Sequence, residues 1–124
     1  MDEPAESILY IATVGAEDPD KASFPFVLAV AALAMDIDAT IVLQSNAVAF
    51  AQRGFVDTVP PAGGLPPLKS LLSDFLELGG KILVCGPCIK TRGIEVSDLV
   101  DGAEVAAAAR VNLAALQARA VFVY

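Results

Sequence analysis

The chain has 124 residues, a common size for one domain, and we expect a single domain over residues 1–124. Eight basic residues against fifteen acidic ones give a net charge of −7, which argues against binding to a nucleic-acid backbone. Histidine is absent, which excludes, within one chain, nucleophile–histidine catalysis and zinc sites that use histidine.

The apolar content is high for a chain of this length. Hydrophobic residues make up 56%, above the average of about 45–50%, and we interpret the excess as a buried subunit interface. The N-terminal MDEPAES lacks the apolar core of a secretion signal, and no apolar run reaches the roughly 18 residues of a membrane span. We therefore expect a cytoplasmic protein without membrane contacts, in which thiols stay reduced.

Four apolar runs predict buried strands, because each is rich in β-branched or aromatic residues and bounded by turn signals. In chain order these strands are Ser7–Val14, Ala39–Leu43, Lys81–Val84 and Ala120–Tyr124. Four helices are predicted between them: from Ser23 to about Met35, from Ser45 or Asn46 to Ala51, from Pro66 or Pro67 to Gly79, and from about Ala103 to Gln117. Ser23 is the expected cap of the first helix, and Asp101 with Glu104 forms a capping-box pattern for the last.

Strands that alternate with helices and are apolar on both faces predict an α/β fold, a three-layer α/β/α arrangement around a mainly parallel sheet. Ligands of such sheets bind beyond the carboxyl ends of the strands. Three predicted loops lie there: Gly15–Ser23, Gln44–Ala47 and Cys85–Gly93. The cysteines therefore fall on the expected functional edge of the sheet.

Cys85 and Cys88, the only cysteines, form a C-x-x-C within KILVCGPCIKTRGI. Two buried core thiols, a redox pair, half of a metal site and a sulfur carrier are the alternatives. Zinc needs two further ligands, and a thioredoxin site normally has a Trp before C-G-P-C, whereas this chain contains none. We favour a reactive Cys85, because Gly86-Pro87 can begin a short helix after it and Lys90 and Arg92 add positive charge.

Several residues around the cysteines are candidate ligand contacts. Backbone N–H groups of Gly86, Cys88 and Ile89 could stabilise a terminal sulfur anion. Arg92 is expected either to orient an anionic sulfur or substrate, or to form a surface or interface ion pair. Gly93 is expected to allow a tight turn or a close subunit contact.

The loops after the first two strands supply further candidates. Gly15 is expected near the ligand, and so are Gln44, Ser45 and Asn46 after the second strand, although helix capping explains Ser45 or Asn46 equally well. Glu17, Asp18 and Asp20 are interpreted as a solvated turn rather than a metal cluster. We expect neither a metal nor a cofactor.

The segments VCGPCIKTRGI, the GGKIL before it and the VSDLVDGAEV after it resemble the DsrE/DsrF-like family of sulfur-relay proteins. GAEDPDKASFPFVLAVAALAMDIDATIVL is similar to that family's first strand, helix and second strand. The resemblance implies a persulfide on a cysteine at this strand end. By spacing to Arg92-Gly93, Cys85 matches that position, and Cys88 matches a second cysteine of some members. The resemblance also implies a homo-oligomer, a trimer or a hexamer.

The first functional expectation is thus a sulfur-carrier or sulfurtransferase-like protein. Its partners would be sulfur donor and acceptor proteins or small sulfane-sulfur compounds. One alternative is a non-enzymatic oligomeric protein that binds a small ligand or a partner at the same edge. The other is a dithiol redox regulator, so whether the protein is an enzyme stays open at this point.

Overall fold

A computed structural model describes residues 6–124, so residues 1–5, most of the acidic MDEPAES segment, lie outside the described residues. Residues 6–124 form one sheet of five strands, all parallel, in the order β4-β3-β2-β1-β5. The strands are β1 Ser7–Ala12, β2 Asp38–Leu43, β3 Lys81–Cys85, β4 Glu104–Ala106 and β5 Ala120–Val123. The α-helices are α1 Pro19–Ala34, α2 Leu68–Glu77, α3 Gly86–Thr91 and α4 Ala108–Gln117, with 3₁₀ turns at Ser45–Ala51, Phe55–Thr58 and Val96–Asp98.

Alternating side chains of the strands enter two separate cores, because successive residues point to opposite faces of a sheet. Tyr10, Ile41 and Ile82 pack into the larger core with α1, α2 and the two 3₁₀ turns that follow β2. Leu9, Val42 and Leu83 lie in the smaller core, which Ala114 and other residues of α4 cover. The predicted α/β/α layering with a parallel sheet is confirmed.

A fifth strand was missed, and the predicted capping box at Asp101 and Glu104 is wrong. The segment after Gly102 pairs as β4 with the edge of β3, with Leu83 opposite Glu104 and Cys85 opposite Ala106. The Glu104 carboxylate accepts instead from Arg110 Nε at 2.9 Å, and α4 begins only at Ala108. The alanine-rich sequence favours helix locally, but ladder hydrogen bonds and burial of Ala106 outweigh that preference.

The first helix also begins earlier than predicted. Asp18, not Ser23, is its N-cap, and the Asp18 side chain accepts the backbone N–H of Lys21 at 3.2 Å. Pro19 takes the first turn, where a missing N–H costs nothing, while Pro25 lies inside the helix. Ser23 is buried and its hydroxyl donates to the Pro19 carbonyl. The loop after β1 is shortened accordingly.

No helix of the described chain, residues 6–124, is long and apolar enough to cross a membrane.

Candidate functional site

The parallel register brings three loops to one edge of the sheet. Ala12 lies opposite Leu43, and Leu43 lies opposite Val84, so β1, β2 and β3 end side by side. The chain leaves these ends into the loop at Gly15, the 3₁₀ turn that starts at Ser45, and α3. The candidate residues from all three loops therefore meet at this edge.

Cys85 and Cys88 are joined as a disulfide across the first turn of α3, with Cα atoms 5.3 Å apart. Cys85 is both the last residue of β3 and the N-cap of α3, and Pro87 stands in the first turn, as predicted. Both cysteines are half-buried against the larger core. They are therefore neither fully buried core thiols nor fully exposed.

Cys85 lines a pocket of about 280 Å³ between the ends of β3 and β4 and the start of α4. Small apolar groups, among them Pro87 and Val111, form most of its wall, and Gln44 and Asn112 contribute amides. The lining includes Ala106–Ala108, the segment that was expected to be helix throughout. The pocket gives a small reactant access to the edge where Cys85 lies.

Cys88 meets the loop after β2. The backbone N–H of Ser45 points at Cys88 Sγ, with a nitrogen–sulfur distance of 3.4 Å. Ser45 holds a left-handed backbone, with φ of 52°, which non-glycine residues rarely adopt. The N-cap of this 3₁₀ turn is Gln44, and no side chain caps it, so the expectation that Ser45 or Asn46 caps a helix is wrong.

Asn46 and Arg92 are bonded to each other. Arg92 donates from Nη2 and Nε to Asn46 Oδ1, at 2.9 and 3.3 Å, and from Nη1 to the Cys88 carbonyl at 3.1 Å. Among residues 6–124, no carboxylate lies within ion-pairing distance of Arg92. Arg92 therefore forms no surface ion pair within residues 6–124.

Glu17 completes this network and was not expected to take part. Its carboxylate accepts the Gly15 N–H at 2.7 Å and Asn46 Nδ2 at 3.1 Å. The approach requires glycine at position 15, because a Cβ there would lie 2.6 Å from the Asn46 carbonyl oxygen. A strand-end glycine followed two residues later by an acid is the only local signal of this arrangement.

The remaining candidates shape α3 rather than line the pocket beside Cys85. The Ile89 side chain is buried in the larger core and anchors the helix. Gly93 has φ of 69° and ends the helix. The Gly93 N–H donates to the Lys90 carbonyl, and the Ile94 N–H donates to the Ile89 carbonyl. Gly86, the first residue of α3, packs near Val105 of β4.

A larger cavity of about 540 Å³ lies at the opposite edge of the sheet. Ser7, Asp38 and Lys81, where β1, β2 and β3 begin, line it together with α4 residues such as Arg110. We place the candidate site at the smaller pocket, because the cysteines and the three-loop network lie at that edge. Within residues 6–124, no group of three or more Cys, Asp or Glu side chains is arranged to hold a metal ion.

The model of the DsrE/DsrF-like family matches residues 6–124. Over 104 residues, 83% of this chain, the sequence is 36% identical to the uncharacterized protein MJ0760 of Methanocaldococcus jannaschii, of which the match covers 37%. It is 37% identical over 78 residues, 63% of this chain, to the uncharacterized protein MJ0989 of the same organism, of which 64% is covered. The chain thus spans less than two thirds of either relative.

Two solved structures share the fold. The ychN protein of E. coli superposes with a TM-score of 0.79 at 21% identity, over 96% of this chain and 99% of that one. The protein MTH1491 of Methanobacterium thermoautotrophicum superposes with a TM-score of 0.67 at 14% identity, over 97% and 99%. At these identities the similarity establishes the architecture alone.

Proposed function

Because this chain belongs to the DsrE/DsrF-like family, a family of the sulfur-relay type, we propose that it is a sulfur carrier with a persulfide on Cys85. The observation that carries the proposal is the position of Cys85 at the end of β3, beside an open pocket. A carrier cysteine has to be reached by a donor and then by an acceptor, and the carboxyl edge of a parallel sheet is where ligands bind.

The transfer itself is thiolate exchange. The Cys85 thiolate attacks the outer sulfur of a donor persulfide, whose S–S bond breaks and whose inner sulfur leaves as a thiolate with the electron pair. The outer sulfur is then bonded to Cys85. An acceptor thiolate attacks this sulfur in turn and releases the Cys85 thiolate, so that the carrier is regenerated without a net oxidant or reductant.

Arg92 supports an anionic cargo. A guanidinium has five N–H donors, and three of those of Arg92 are used by Asn46 and the Cys88 carbonyl. The other two have no protein partner among residues 6–124, and the positive charge is not neutralised there by a carboxylate. Arg92 is the group that would attract an anionic sulfur to this edge.

Cys88 has a resolving role in this scheme. Its thiolate attacks Cys85 Sγ, hydrosulfide leaves, and the Cys85–Cys88 disulfide forms. A dithiol reductant must then return two electrons before the carrier accepts sulfur again. Cys85 and Cys88 are placed for this bond, with Cα atoms 5.3 Å apart, and this proximity also favours a second candidate function, a dithiol–disulfide regulator.

The proposed setting is the cytoplasm, where a thiol pool keeps Cys85 available. Its partners would be sulfur donor and acceptor proteins or small sulfane-sulfur compounds, and the protein would act as a homo-oligomer, a trimer or hexamer. Exposed apolar side chains on β5 and α4 support the assembly; they include Val121, Phe122, Val123, Leu113 and Leu116. Light scattering tests it, and a stable monomer would contradict it.

Intact-mass measurement tests the carrier function. The reduced protein is incubated with thiosulfate or a persulfide donor, and an adduct of one sulfur, ~32 Da, is expected. The adduct should persist in Cys88→Ser and be lost in Cys85→Ser. An absence of adduct with every donor, together with a Cys85 that does not alkylate at neutral pH, would refute the proposal.

Redox titration tests the second candidate. A regulator requires the Cys85–Cys88 bond to open and close reversibly near the cytosolic poise, about −220 to −320 mV. A potential far below that range would leave the disulfide locked and would exclude regulation.

A further inference from the structure

We propose that Glu17 is a positioning residue that determines which of the two cysteines an incoming thiolate attacks. It would do so by holding the loop after β2 against α3. The inference deepens the proposed sulfur-carrier function and rests on it for its biological meaning. Its chemistry, however, is ordinary thiol–disulfide exchange and can be measured without any sulfane sulfur.

Glu17 begins a line of hydrogen bonds across all three loops. Its two carboxylate oxygens accept the Gly15 N–H at 2.7 Å and Asn46 Nδ2 at 3.1 Å. Asn46 Oδ1 accepts Arg92 Nη2 at 2.9 Å, and Arg92 Nη1 donates to the Cys88 carbonyl at 3.1 Å. The line therefore joins the loop after β1 to the backbone of the helix that carries Cys88.

The direction of each bond follows from the chemistry of its two partners. An ionised carboxylate only accepts and a guanidinium only donates, whereas an amide has one end of each kind. Asn46 can satisfy Glu17 and Arg92 together in one orientation alone, with Nδ2 toward Glu17 and Oδ1 toward Arg92. If the amide were flipped, Asn46 Oδ1 would face the Glu17 carboxylate, acceptor against acceptor. Nδ2 would then face the Arg92 guanidinium, donor against donor.

This fixed orientation bears on the sulfur atoms through Ser45. Ser45 immediately precedes Asn46, and its N–H donates to Cys88 Sγ at 3.4 Å. A hydrogen bond to sulfur stabilises the thiolate, and in exchange reactions the better-stabilised thiolate is the better leaving group. Cys88 should therefore be the sulfur that leaves, and Cys85 the one that is attacked.

The step balances without an added oxidant. The incoming thiolate attacks Cys85 Sγ, and the Cys85–Cys88 bond breaks with its electron pair going to Cys88. A mixed disulfide remains on Cys85. When Glu17 no longer holds Asn46, the Ser45 N–H is less firmly directed at Cys88, and attack spreads to both sulfurs.

Glutathione is the probe for this selectivity. The oxidised protein is treated with glutathione, trapped with iodoacetamide and digested, and mass spectrometry gives the ratio of glutathione on Cys85 to that on Cys88. The wild-type ratio should favour Cys85. Glu17→Gln should lower this ratio about fivefold or more. The glutamine side chain offers one acceptor oxygen for two donors, the Gly15 N–H and Asn46 Nδ2, so Asn46 is held less firmly. The Cys88 thiolate is then less stabilised and leaves more slowly.

A double variant separates positioning from general damage. In Glu17→Gln with Asn46→Asp, the new carboxylate accepts from both the glutamine amide and Arg92, so the ratio should return toward wild type. Asn46→Asp alone places a second carboxylate opposite that of Glu17 and should lower the ratio. This variant tests the proposal independently if Glu17→Gln fails to fold. Glu77→Gln, at the end of α2 and the opposite edge of the sheet, is the matched control and should change nothing.

The proposal is overturned by a wild-type ratio near one, by an unchanged ratio in Glu17→Gln, or by a double variant no better than the single one. Urea unfolding of each oxidised variant shows that selectivity, not folding, has changed. A failed persulfide assay would leave this ratio intact. A failed ratio would leave Cys85 free to carry sulfur, so the two ideas fail separately.

Discussion

The backbone N–H of Ser45 donates to Cys88 Sγ, 3.4 Å away, from a residue whose backbone is left-handed. Two unusual features thus coincide at one position: a non-glycine residue at φ of 52° and a main-chain donor aimed at a sulfur atom. A left-handed backbone at such a residue costs on the order of 1 kcal/mol or more. We infer that the contacts of this loop with α3 compensate for it.

Substitution of Ser45 tests this cost. Ser45→Gly keeps the N–H and relaxes the backbone, so the free energy of unfolding should change by less than about 1 kcal/mol. Ser45→Val also keeps the N–H, but its branched Cβ fits the left-handed region poorly and should cost about 2 kcal/mol. Urea unfolding of the two variants measures the difference. Equal stability of Gly and Val would show that the position is not strained.

Gly15→Ala should be destabilising. An added Cβ would lie 2.6 Å from the Asn46 carbonyl oxygen and 2.7 Å from Glu17 Oε1, and the first of these contacts is with backbone. Such overpacking costs about 1–3 kcal/mol. Gly86→Ala is the matched control, because its nearest neighbour is Val105 Cγ1 at 3.3 Å, a side-chain atom that can move. In thermal unfolding, the melting temperature of Gly15→Ala should lie well below that of Gly86→Ala. The reverse order would contradict the close approach of the two loops.

Two phenylalanines of α1 should respond differently to truncation. Phe26 is fully buried and stacks edge-on with Phe50, so Phe26→Ala should cost about 3–5 kcal/mol. Phe24, two residues earlier, is 39% exposed, and Phe24→Ala should cost less than about 1 kcal/mol. Urea unfolding compares the pair within one helix. Similar losses in both would mean that α1 is rotated from the orientation described.

Tyr10 should make stability fall at high pH. Burial, and then the charge at Tyr124, raise the pKa of Tyr10 above its ordinary value of 10.0. The folded protein therefore binds the phenolic proton more tightly than the unfolded chain. This contribution is fully present below pH 10 and is lost as the pH rises through the raised folded pKa.

Tyr10→Phe removes that dependence together with the hydrogen bond from the hydroxyl to the Leu28 carbonyl. The free energy of unfolding, measured by urea between pH 9 and 11, should fall more steeply in the wild type than in the variant. Parallel curves would show that burial does not perturb this phenol.

Local pattern was sufficient for much of the architecture. The runs around Leu9, Ile41 and Leu83 are apolar on both sides of the chain, which only a sheet covered on both faces can bury. Cys85 follows one such run directly, so its place at the carboxyl edge could be derived from periodicity alone. The short helix beginning at Gly86-Pro87 followed from the chemistry of the turn.

The sequence pattern predicted the wrong structure where contacts with a distant segment outweigh local propensity. Glu104–Ala106 has helical propensity, yet it forms β4 because the free edge of β3 offers it hydrogen bonds from residues some twenty positions away. Asn46 was expected either to cap a helix or to line a pocket, and its partners prove to be Glu17 and Arg92. These three residues lie in different loops, so no sequence window contains their contact.

The order and spacing of the residues thus determine the parallel sheet, its two apolar faces and the position of the cysteine pair at the carboxyl edge of that sheet. The environment of each sulfur comes instead from packing. Cys85 faces a pocket partly built by α4, and Cys88 faces the Ser45 N–H. The periodicity of apolar residues is a short-range property that is visible in the sequence. Hydrogen bonds between loops form only when the parallel register has placed the ends of the preceding strands side by side.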